Sequence, residues 1–158
     1  DDFKAYMDVF NKSGELCKKS GMKFGYHNHD FEFNQQLNGH KIFDLILQNT
    51  DPALVAQQLD IGNMYHAGGI AMDIIKQYPG RFELMHVKDE IKTEKGEMGG
   101  NYESTVLGKG IIPVRDVIEL GRKSGGTKHF IIEQESYQGQ APLDAVRDDL
   151  KVMKQWGY

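Results

Sequence analysis

Residues 21–33 read Gly21-Met22-Lys23-Phe24-Gly25-Tyr26-His27-Asn28-His29-Asp30-Phe31-Glu32-Phe33. Met22 to His27 reads as a strand, and Gly21 before it as the stop of a preceding helix. Two histidines, an aspartate and a glutamate crowd the strand's far end. Charged and imidazole side chains at that density are a poor way to build a core and a good way to build a site. If later strands end in the same fashion, the chain is a series of strand–helix units whose ends converge.

Working outward, residues 2 to 20 carry Phe3, Tyr6, Met7, Val9, Phe10, Leu16 and Cys17 at mostly helical spacing. Asn38-Gly39 marks a turn, and Ile42 to Gln48 is helical up to Asp51-Pro52. Leu54 to Ile61 is a second strand, ended by Gly62-Asn63. Ile70 to Tyr78 is a short helix stopped by Pro79-Gly80, and Arg81 to Val87 a third strand. The polar stretch from Lys88 to Gly110, with Gly96, Gly99, Gly100, Gly108 and Gly110, reads as a long loop, a feature uncommon unless functional. Pro113 suits the first turn of a helix running to about Ser124. His129 to Ile132 is a fourth strand. Pro142 opens a last amphipathic helix with Leu143, Val146, Leu150, Met153 and Trp156 on one face, expected to pack on the sheet. Strands alternating with helices predict an α/β fold with parallel pairing and right-handed crossovers.

The 158 residues make one domain of ordinary size, 39% hydrophobic and 27% charged. A net charge of -4 without basic runs argues against a nucleic-acid surface. No apolar run is long enough to cross a membrane as a helix. One cysteine, Cys17, excludes an internal disulfide and fits a reducing compartment, so a cytoplasmic location is expected, with a periplasmic one also compatible. Asp1-Asp2-Phe3-Lys4 lacks the pattern of a signal peptide, and the chain has no initiating methionine.

Every predicted strand delivers a carboxylate at its C-terminal end. His27, Asn28, His29, Asp30 and Glu32 follow the first; Asp60, Asn63 and His66 the second; His86, Lys88, Asp89 and Glu90 the third; Glu133, Gln134 and Glu135 the fourth. In parallel α/β folds sites lie beyond those ends. Carboxylates packed together repel, so some are protonated or a cation sits among them. A mixed oxygen and nitrogen set suits Mn²⁺, Mg²⁺, Co²⁺ or Zn²⁺ as cofactor, and the absence of cysteine ligands argues against a structural zinc site.

Leu59-Asp60-Ile61-Gly62-Asn63, Met85-His86-Val87-Lys88-Asp89, Leu107-Gly108-Lys109-Gly110 and Ile131-Ile132-Glu133-Gln134, in that order, resemble the xylose-isomerase-like TIM barrels. The nearest group is the sugar phosphate isomerase/epimerase-like proteins, which include ketose epimerases, inosose dehydratases and hydroxypyruvate isomerases. The resemblance implies a divalent ion held by Glu32, Asp60, His86 and Glu133, with His27 or His29 as replacements for Glu32. It implies that Glu32 and Glu133 move protons on and off carbon. His27, His29, Asn63, His66, Lys88 and Lys109 become candidates for contact with a sugar substrate, and Asp89 and Glu135 for orienting ligands.

Such barrels have eight strands, and this chain supplies four, matching the second half. The chain is therefore expected to be the C-terminal half of a barrel, residues 1–158 forming one unit. Either the N-terminal half is missing or copies of the chain complete each other as a homo-oligomer, because open sheet edges seek partners. The expected activity is sugar or sugar phosphate isomerisation or epimerisation through an enediolate. The alternatives are an inosose-dehydratase-like lyase, a nuclease like the endonuclease IV enzymes that share the barrel, and a non-catalytic fragment. The nuclease would need a trinuclear zinc site with more histidines and a basic surface.

Overall fold

The computed structural model describes residues 2–96 and 100–158. Asp1 and residues 97–99, including the Gly99 of the expected long loop, lie outside the described residues.

Helix α1 (Asp2–Lys19) leads into strand β1 (Phe24–His27), the short helix α2 (Phe31–Asn34) and a small hairpin, β2 (Gln36–Leu37) and β3 (His40–Lys41). Helix α3 (Ile42–Asn49) and strand β4 (Val55–Asp60) follow, then α4 (Ile61–His66), α5 (Ala71–Gln77) and β5 (Leu84–Val87). A second hairpin, β6 (Asp89–Lys92) and β7 (Tyr102–Thr105), precedes α6 (Val114–Leu120), β8 (His129–Ile132) and α7 (Pro142–Gln155). Between α6 and β8 the chain widens into one π-type turn, Gly121–Gly125.

Four strands form a parallel sheet in the order β1-β4-β5-β8. This is a partial TIM barrel: successive strand–helix units laid side by side, with β1 and β8 at the edges. The sheet's two faces differ. Val55, Gln57, Leu59, Met85 and Val87 are buried beneath the helices, in a core that includes Phe43, Met64, Ile75, Phe82 and Ile118. The alternate residues, Gly25, Ala56, Gln58, Leu84 and His129, line an open cavity of about 350 Å³. The strand period of two therefore assigns every residue of that parity to the inner face.

Element boundaries depart from the sequence expectation in ways with physical causes. The stretch read as a single loop from Lys88 to Gly110 contains the β6–β7 hairpin, in which Asp89 pairs Thr105 and Lys92 pairs Tyr102. Its short polar strands carry no hydrophobic alternation to signal pairing. Helix α4 starts immediately at Ile61, because Asp60 caps it by accepting the Asn63 N–H at 2.8 Å. The apolar stripe of α7 is corrected in part: Met153 and Trp156 pack on the core as expected, but the other three do not. Leu143, Val146 and Leu150 are exposed, at 79%, 41% and 45%, whereas Ala145, Asp149 and Met153 face inward. Asp149 belongs inside because its carboxylate accepts the Leu107 N–H at 2.8 Å.

Candidate functional site: a cluster at the strand ends

Register alone brings the site together. His27 lies beside Gln58 across β1 and β4, and Asp60 lies beside His86, which lies beside Ile131. His27, Asp60 and His86 thus share the inner face, and Glu133, two residues past Ile131, has the same parity. Ligand-type atoms of His27, Asp60, His86 and Glu133 all lie within 4.8 Å of one another.

Asp60 is fully buried and works in two directions. Its Oδ1 caps α4, while its Oδ2 meets His86 Nδ1 at 3.4 Å and His27 Nε2 at 3.7 Å. That Oδ2 accepts no hydrogen bond among the described residues, and the two rings approach it at ion-pair distance. Asn28 holds the Asp60 backbone in place: its Oδ1 accepts the Asp60 N–H at 2.9 Å and its Nδ2 donates to the Asp60 carbonyl at 3.1 Å. A side-chain amide here continues the β1–β4 ladder past the end of β1. His86 Nδ1 also contacts the Glu133 carboxylate directly. Burial works against a charged His86 ring, but Asp60 and Glu133 outweigh it and raise the pKa to about 9. The same contact holds Glu133 below the usual carboxylate range.

Lys88 stands two residues beyond His86, and its side chain is fully buried. Its Nζ contacts Glu135 and lies 3.8 Å from Glu133 and 4.0 Å from Glu90. Burial disfavours the ammonium, yet Glu135 and the neighbouring carboxylates raise its pKa overall. Its stem runs over Gly62, where a Cβ would come within 2.7 Å of Lys88 Cδ and of Glu90 Oε1. That close approach is the physical reason for glycine in the Asp60-Ile61-Gly62-Asn63 run.

Other residues singled out in the sequence fall in several places. Glu32 is buried but not in the four-residue cluster: it accepts a hydrogen bond from the Tyr26 hydroxyl and another from the His29 N–H at 3.0 Å. Burial, together with that carboxylate, pushes the Tyr26 phenol up. His29 is exposed, with its ring 5.1 Å from that of His27. Asn63 donates through Nδ2 to the Asn28 carbonyl at 3.3 Å. His66 pairs with buried Glu90 at 3.2 Å and stacks on Tyr102. Lys109 is exposed, and its charge acts on Asp148 and Asp149 of α7.

Gln58 carries no sequence signal of its own, because its role comes from His27, a neighbour distant in the chain. Asp89 is fully buried and accepts the N–H groups of Gly108, Gly110, Ile112 and Glu90. A Cβ on Gly110 would sit 2.1 Å from Asp89 Oδ1. The Leu107-Gly108-Lys109-Gly110 run is thus a loop wrapped around one carboxylate. Burial raises the pKa of Asp89, and those backbone donors oppose the rise.

Residues 1–156 match the family described as xylose isomerase-like TIM barrel. Among curated relatives, inosose dehydratase of Clostridium perfringens (strain ATCC 13124) is 26% identical over 94% of this chain and 48% of its own length. That of Bacillus licheniformis is 26% identical over 85% of this chain and 47% of its own. The chain spans about half the length of the curated relatives it matches. A crystal structure of a sugar phosphate isomerase/epimerase from Parabacteroides distasonis superposes with TM-score 0.80 at 25% identity, over 97% of this chain and 52% of that one. Among the described residues, no helix is long and apolar enough to cross a membrane.

Proposed function

The chain belongs to the xylose isomerase-like TIM barrel family, and from that premise we propose that it is the metal-binding C-terminal half of an enzyme. That enzyme moves a proton on a carbon beside the carbonyl of a sugar or sugar phosphate, as isomerases and epimerases do. The observation that carries this reading is the convergence of His27, Asp60, His86 and Glu133 on one face at successive parallel strand ends. The buried Asp60 Oδ2, without a hydrogen bond among the described residues and flanked by two imidazoles, supports a divalent ion there: Mn²⁺, Mg²⁺, Co²⁺ or Zn²⁺.

His27, Asp60, His86 and Glu133 would hold the ion. Once bound, it would supply Lewis-acid stabilisation of the charge that develops on the substrate's carbonyl oxygen. Glu133 is the base that takes the proton from carbon. Lys88 places a buried ammonium 3.8 Å from Glu133, where it stabilises negative charge on a neighbouring substrate oxygen. His66 and the exposed His29 would contact substrate hydroxyl groups at the rim. The substrate is a polyhydroxylated small molecule, not nucleic acid, since the net charge is -4. The lone Cys17 accords with a cytoplasmic setting.

A second reading, elimination of water, is favoured by the placement of Glu32. An epimerase needs bases on both faces of the carbon, and Glu32 is buried and engaged by Tyr26 and the His29 N–H. One carboxylate with one buried ammonium suits removal of a proton and departure of a β-hydroxyl. The relatives named inosose dehydratase accord with it. The test is incubation of the metal-loaded protein in D₂O with ketoses, their phosphates and inososes. Deuterium entering beside the carbonyl supports the reading, and water loss selects elimination. Metal binding without any exchange across that panel would refute it.

A further inference from the structure

The donor set at the strand ends contains two imidazoles and two carboxylates, His27 and His86 with Asp60 and Glu133. We propose that His27 sets the metal preference of this site, turning it from magnesium toward borderline ions such as Co²⁺ and Zn²⁺. The inference rests on the metal-binding reading above and adds the identity of the selecting residue.

His27 is held in the posture of a ligand. Its Nδ1 lies 3.1 Å from the Gln58 side-chain oxygen, which can only accept. A ring that donates from Nδ1 to that oxygen leaves Nε2 as the nitrogen facing the cluster, 3.7 Å from Asp60 Oδ2. Metal-bound histidines are oriented in this way by a partner on their other nitrogen. Gln58 is placed to do so because β1 and β4 pair His27 directly with Gln58. The ring is packed against a second imidazole, His86, with centroids 4.5 Å apart, so both nitrogen donors converge on one side of Asp60.

Donor chemistry then decides the preference. Mg²⁺ favours an octahedral oxygen shell and keeps its waters, while imidazole nitrogen suits Zn²⁺, Co²⁺ and related ions. Two carboxylates balance the charge of one divalent ion. A glutamate at position 27 would make the set three carboxylates and one imidazole, more anionic and richer in oxygen.

The experiment is calorimetric titration of the metal-stripped chain with MgCl₂, MnCl₂, CoCl₂ and ZnCl₂, for the native sequence and for His27→Glu. Almost any site prefers zinc to magnesium, so the decisive quantity is the change in the ratio of affinities. His27→Glu is expected to move the Zn²⁺-to-Mg²⁺ ratio toward magnesium by about tenfold or more. A ratio unchanged within about twofold would overturn the proposal while leaving the metal site standing. No binding of any of the four ions to the native chain would overturn the metal site and this proposal together. X-ray absorption of the Co²⁺-loaded native chain gives a readout independent of how the variant folds. Two imidazole rings per ion support His27 as a donor, and one ring overturns it.

Discussion

The carboxylates of Asp60 and Glu32 are both fully buried, and their partners separate their roles. Asp60 faces two imidazoles, whereas Glu32 is satisfied by a phenol and a backbone N–H. Glu32→Gln is therefore expected to keep metal affinity within about threefold, and Asp60→Asn to lose about 100-fold, measured by calorimetry with CoCl₂. His86 gives a pH dependence of determinate sign. Its pKa is raised in the folded chain, so the stability its charged ring contributes is fully present below the ordinary imidazole value. That contribution is lost as pH rises through about 9. In chelator, the thermal midpoint should fall across that interval. Metal binding should strengthen over the same interval, because ligation needs the neutral ring. A midpoint that is flat or rises in chelator would mean that His86 is not held charged.

Helix α7 shows how an element's buried face is chosen. Leu143, Val146 and Leu150 form the more apolar stripe, yet Ala145, Asp149 and Met153 are turned inward. Asp149 is drawn in by the Leu107 N–H, and Met153 by the core. Met153→Ala should cost about 2–5 kcal/mol in urea unfolding, and Leu150→Ala under about 0.5 kcal/mol. Equal costs would place the helix in the other rotation. The segment after β6 depends on Asp89 in the same local way. Asp89→Ala leaves four buried or half-buried N–H groups without their acceptor. It should destabilise by about 3–5 kcal/mol and open residues 107–112 to proteolysis.

At the scale of the whole molecule, the sheet ends in two unpaired strands, β1 and β8, and its inner face opens into the 350 Å³ cavity. Tyr6, Val9 and Leu16 on α1 are more than half exposed, as is Leu143 on α7. Open edges and exposed apolar stripes at both ends favour association. Light scattering on the isolated chain is expected to give a mass above the 17.9 kDa of one copy. A strict monomer would show that the two edges are self-protecting.

The amino-acid sequence by itself determined the strand–helix alternation, the four parallel strands, and the polar cluster at their C-terminal ends. Short apolar strands and stops at Gly21, Pro79-Gly80 and Gly125-Gly126 are local signals, readable without neighbours. Asp60, His86 and Glu133 were among the strand-end residues, and the family resemblance is what set them apart as ligands. Which member of the His27–Glu32 crowd joins them was decided only in three dimensions. The β1–β4 register puts His27 beside Gln58 and on the face of Asp60, while α2 carries Glu32 back under Tyr26. The β6–β7 hairpin and the inward turn of Asp149 were likewise settled by tertiary hydrogen bonds. Periodicity reports which residues share a face of one element; it does not report which neighbour that face will meet.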